Sequence, residues 1–79
     1  METAFVLISC EVGTTDKVIK KLQMINEINE ATPVWGTYDI VIKITASTKE
    51  ELRDAIRKKI RTTDNIRTTM SLMVTESKT

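Results

Sequence analysis

Apolar residues fall at every even position from Ala4 through Val6, Ile8, Cys10 and Val12, with Phe5, Leu7, Ser9 and Glu11 between them. That alternation predicts a strand from Thr3 to Val12, its even set on one sheet face and its odd face apolar at first and polar later. Gly13 breaks the pattern. After Thr14 and Thr15, either able to cap a helix, Val18, Ile19, Leu22 and Ile25 recur at three- and four-residue spacing, with Lys17, Lys20 and Lys21 outside the stripe. An amphipathic helix is predicted over 16–25. Ile28 to Gly36 returns to β-branched and aromatic residues, and Pro33, which has no N–H to give, marks this segment as an edge strand.

Gly36-Thr37-Tyr38-Asp39 interrupts the apolar pattern as a tight turn does, and Ile40, Ile42, Ile44 and Ala46 then alternate with Val41, Lys43 and Thr45. The second and third strands are therefore a hairpin. Ser47 and Thr48 each stand three residues ahead of a glutamate, Glu50 and Glu51, giving two overlapping capping boxes before a helix with the core stripe Leu52, Ala55, Ile56 and Ile60. Asp64-Asn65 makes a turn, Ile66, Thr68, Met70, Leu72 and Val74 alternate along a last strand, and Glu76 to Thr79 reads as a loose tail.

The order βαββαβ, under the rules for crossover handedness, closes most simply as an α+β, ferredoxin-like fold: a four-stranded antiparallel sheet, order 4-1-3-2, with two helices on one face. The helices are expected to cover Val6, Ile8, Ile40, Ile42, Met70 and Leu72. The other face would carry Phe5, Leu7, Val41, Met73, Ala31 and Trp35 among hydroxyls and Lys43, too apolar to stay wet. A second copy is the simplest cover, and 79 residues make one domain with a modest core.

The formal charge of +1, with both signs interspersed, offers no basic footprint for direct nucleic-acid binding. No apolar run is long enough for a membrane span and no secretory signal is evident, so the default location is cytoplasmic. Histidine is absent, which removes imidazole acid-base chemistry and imidazole metal sites. The single Cys10 lies in an apolar strand and reads as a buried reduced thiol rather than a redox or metal centre. Two glycines make no phosphate loop, and no cofactor is called for. Phe5 and Tyr38 are too few aromatics for an RNA-stacking sheet. Glu50, Glu51 and Asp54 suit a helix N-terminus, and Arg53, Arg57 and Arg61 a solvated face. Asp39 has two readings, a cap for its turn or a carboxylate for an ammonium group. The hydroxyls of Thr68, Thr69 and Ser71 are equally ordinary for a strand.

The N-terminal Thr-Ala-Phe-Val-Leu-Ile strand, the Trp-Gly-Thr-Tyr-Asp-Ile-Val-Ile-Lys segment at 35–43 and Ile-Arg-Thr-Thr-Met-Ser at 66–71 together resemble the effector-binding domain of the Lrp/AsnC (feast/famine) regulators. The similarity runs from Thr3 to about Val74 and is most specific in the Gly-x-Tyr-Asp turn. It implies a single ligand-binding domain over 1–79 without the family's helix-turn-helix, a stand-alone regulatory module whose copies pair sheet to sheet and assemble further. It also implies a free amino acid or related metabolite held between dimers by Gly36, Thr37, Tyr38 and Asp39, with Thr69 and Ser71 nearby. A helix-turn-helix relative would be a protein partner. Trp35 is bulkier than expected before that glycine. A small ferredoxin-like dimeric enzyme and a ligand-free assembly domain are the competing readings; the loop after the first strand, Glu11 to Asp16, is acidic where an anion-cradling hydrolase needs an arginine.

Overall fold

The computed structural model describes residues 1–75, so the expected tail from Glu76 to Thr79 lies outside the described residues. In chain order come β1 (Glu2–Cys10), α1 (Thr15–Gln23), β2 (Ile28–Pro33), β3 (Ile40–Ala46), α2 (Lys49–Ala55), which runs on into a π turn over Ile56–Ile60, and β4 (Ile66–Met73). The strands form one antiparallel sheet in the order β2-β3-β1-β4, the predicted topology seen from its other edge.

Local chemistry explains the boundaries. β1 stops at Cys10 and Gly13, at φ 79°, takes a left-handed conformation that costs glycine little. Thr14 occupies the N-cap of α1, but its hydroxyl donates to the Glu11 carbonyl at 2.7 Å and closes the preceding loop instead. For α2 the capping box resolves in favour of Thr48, whose Oγ1 accepts the Glu51 N–H at 3.1 Å. Asn65, at φ 71°, supplies the left-handed residue before β4.

One sheet face is the core. Val6, Ile8, Ile40, Ile42 and Ile44 are fully buried against Val18 and Leu22 of α1, Leu52 of α2 and Ile60 of the π turn. Two expected core residues are not there: Met70 and Leu72 are 47% and 50% exposed. They stand opposite Leu7 and Phe5 and so share the uncovered face, while Met73, Ser71 and Thr69 stand opposite the core-facing Ala4, Val6 and Ile8. Met73 and Ala31, expected on the open face, pack against the core. For Ala31 the cause is a bulge. The β2 register shifts between Ile28 and Glu30, so that Ile28 opposite Ile44 and Ala31 opposite Ile42 both face the helices despite their odd separation. Trp35 lies beyond β2 in the hairpin connection, fully exposed, and is no part of the sheet face.

Candidate functional site

The connection from β2 to β3 is closed by the Val34 N–H donating to the Asp39 carbonyl at 2.9 Å and anchored to the sheet by the Asp39 N–H donating to the Ile8 carbonyl at 2.8 Å. Gly36 sits at φ 128°, where a side chain is strained although nothing lies within 4 Å of the Cβ it would carry. Asp39 does more than end the turn. Its Oδ2 accepts the Cys10 N–H at 2.7 Å, at the point where the β1–β4 register shifts between Ser9 and Cys10. A carboxylate thus takes up the backbone donor that the irregularity exposes. That charge and burial together act on the neighbouring thiol: desolvation pushes the Cys10 pKa up, and the Asp39 carboxylate raises it further.

Tyr38 reaches in another direction. Its hydroxyl approaches Met70 Sδ at 3.9 Å, and Met70 is an open-face residue, so the phenol lies towards that face. Thr69 and Ser71 are on the helix side of β4. The structure therefore gathers Gly36, Thr37, Tyr38 and Asp39 in one turn but puts the β4 hydroxyls of the same chain on the opposite side of the sheet from the Tyr38 hydroxyl. Ser71 lines a groove of about 270 Å³ with Arg53, Ile56, Arg57, Arg61 and Met73. Its Oγ is shielded from solvent and has no hydrogen-bond partner among the described residues. The sequence pattern gave no sign of that groove, because nothing local relates the arginines to Ser71. No cluster of three or more metal-ligating side chains occurs among the described residues, and none of their helices is long and apolar enough to cross a membrane.

Comparison with known proteins agrees with this architecture. Residues 3–79 match the family described as the Lrp/AsnC ligand binding domain. The chain is 32% identical over 72 residues to homocitrate synthase of Saccharolobus islandicus, covering 90% of this chain but 15% of the synthase. It is 38% identical over 58 residues to the regulatory protein AsnC of Haemophilus influenzae, covering 73% of this chain and 39% of that protein. It thus spans well under half the length of these curated relatives. Among solved structures, FFRP-DM1 superposes with a TM-score of 0.91 at 33% identity, covering 95% of this chain and all of the other. A feast or famine regulatory protein from M. tuberculosis complexed with L-methionine superposes at 0.77 with 26% identity, covering 98% of this chain and 52% of that one. The match over nearly the whole chain and the shared sheet topology make this protein a member of the Lrp/AsnC ligand-binding domain family.

Proposed function

We propose that this chain is an amino-acid-sensing and oligomerisation module: its copies pair through their open sheet faces, and a free amino acid binds between the resulting dimers. The observation that carries the reading is the geometry of Asp39. One carboxylate oxygen holds the Cys10 N–H and so fixes the turn, while Oδ1 makes no hydrogen bond among the described residues and is available to an ammonium group. Gly36 and Thr37 present backbone beside it, and Tyr38 supplies a phenol. Thr69 and Ser71 face the other way within one chain, so any contribution from them comes from a neighbouring copy, as expected for a ligand at an interface. Amino-acid binding by a structural neighbour, complexed with L-methionine, supports the ligand class.

The FFRP-DM1 chain, spanned over its entire length, supports treating the domain as a self-sufficient unit. With a net charge of +1 and both signs interspersed along the chain, the domain offers no extended basic footprint for duplex DNA. An effect on transcription passes through co-assembly with a helix-turn-helix relative.

Asp39→Asn separates the sensor from a ligand-free assembly domain, the role that the Asp39–Cys10 bond by itself favours. Asparagine keeps an acceptor for the Cys10 N–H and loses the charge. Calorimetric titration with the best amino acid from a thermal-shift screen should show a loss of about tenfold or more, the scale of one charge-assisted hydrogen bond. Equal affinities for the two proteins place the ammonium elsewhere, and no binding by either leaves the assembly role.

A further inference from the structure

We propose that the groove between α2 with its π turn and the edge strand β4 is a phosphate-binding site, distinct from the Asp39 turn. Arg53, Arg57 and Arg61 follow at four-residue intervals along one helical ridge. In a regular α-helix, two such steps overshoot whole turns by about 80° and would swing the last arginine off the groove. The wider π turn over Ile56–Ile60 absorbs that drift, and all three arginines line the same cavity of about 270 Å³.

Ser71, on the opposite wall, adds a second and independent observation. Its Oγ is shielded from solvent and unpartnered, although a buried hydroxyl ordinarily finds a hydrogen bond. As the side chains stand, that oxygen is covered, so it reaches a ligand in the groove only when the side chains over it shift. The charges select the ligand. Asp54 engages Arg57 at 2.8 Å, whereas Arg53 and Arg61 make no ion pair among the described residues. Three guanidinium groups against one carboxylate favour a dianion, and arginines at three points along one ridge with a hydroxyl on the other wall suit a tetrahedral oxyanion better than a planar carboxylate. Ile56 and Met73 contribute apolar walls to the groove beside the arginines. Free phosphate and the phosphate of a monoester share this chemistry.

The test is calorimetric titration of the whole chain at constant ionic strength with inorganic phosphate, glycerol phosphate and succinate. Saturable binding of a phosphate below about 10 mM, weakened about tenfold or more in Arg53→Gln/Arg61→Gln, is the expected result. Tighter binding of the monoester identifies a phosphorylated metabolite, and tighter binding of inorganic phosphate the free ion. Ser71→Ala should weaken phosphate binding about threefold while leaving the thermal midpoint unchanged or raised, because a hydroxyl without a partner stabilises nothing. Lack of saturation, succinate binding as tightly as phosphate, or affinity unaltered in the double variant would each overturn the site.

Discussion

At the scale of single residues, Cys10 and Asp39 are tied together by a bond no local pattern announces, since the donor precedes the acceptor by 29 positions. The sequence leaves Asp39 with two readings because a turn-capping acid and a ligand-binding acid look alike in one dimension. The fold shows one of its oxygens committed to the backbone. The consequence for Cys10 is measurable. In the unfolded chain the thiol ionises near its ordinary pKa of about 8.5, whereas burial first and the Asp39 charge second hold it protonated to higher pH in the fold. The folded state therefore binds more protons above that ordinary value. Its stabilising contribution is complete below it and is lost as pH rises through the folded pKa. Urea midpoints of the native protein should fall between pH 8 and pH 10 more steeply than those of Cys10→Ala, and parallel curves would remove the thiol as the cause. Glu27 acts at the opposite end of the scale. Its bond to Lys59, at 2.9 Å from Nζ to each oxygen, lowers its pKa, so that contribution is present above the ordinary carboxylate value and fades as pH falls through the lowered one. Both partners are partly solvated and the pair is worth under about 1 kcal/mol.

At the scale of elements, the strands, helices and their order were legible because most segments keep one period and are punctuated by Gly13, Gly36 and Asn65. The two overlapping capping boxes before α2 were also legible, but only the fold chooses between them. Thr48 accepts the Glu51 N–H, so Thr48→Ala should cost about 1 kcal/mol in denaturant unfolding and Ser47→Ala much less. Equal losses would show that the cap is shared. Which face each strand buries was less legible. In β1 the even set is buried from Ala4 to Cys10 and both readings agree there, whereas Val12, expected to continue it, lies past the end of the strand and is exposed. In β4 period two separates Met70 and Leu72 from Ser71 and Met73 without saying which set faces the helices, and hydrophobicity favours the wrong one. A second apolar surface inverts the usual inference: the most apolar side of an edge strand need not be its core side. The π turn was invisible for a related reason. Ile56 and Ile60 fit an ordinary helical stripe, and the extra residue shows only in the backbone.

At the scale of the whole molecule, the corrected facing of β4 strengthens the expectation of a dimer. Phe5 lies between Lys43 and Leu72 across the open face, and Leu7 lies between Val41 and Met70. The apolar side chains thus form a continuous band over β3, β1 and β4, with Phe5, Met70 and Leu72 each more than a third exposed. Burying such side chains contributes up to about 1.5–3 kcal/mol each, a large quantity for a chain of 79 residues whose core is one helix-covered sheet face. A second copy stacked on this face, as proposed above, would remove the band from water. Leu7 is at the middle of β1, the strand nearest the centre of the band, so in the proposed dimer a charge there would enter the most desolvated part of the interface and, across a two-fold axis, would meet its own copy or another apolar side chain. Leu7→Asp should therefore abolish the dimer and leave species near the 9.0 kDa of one chain in light scattering. Gln23→Asp, an equal charge on the exposed end of α1, should leave the native oligomer intact. An unaltered, fully folded oligomer in Leu7→Asp would mean that the copies meet through another surface and that the open face serves some other partner.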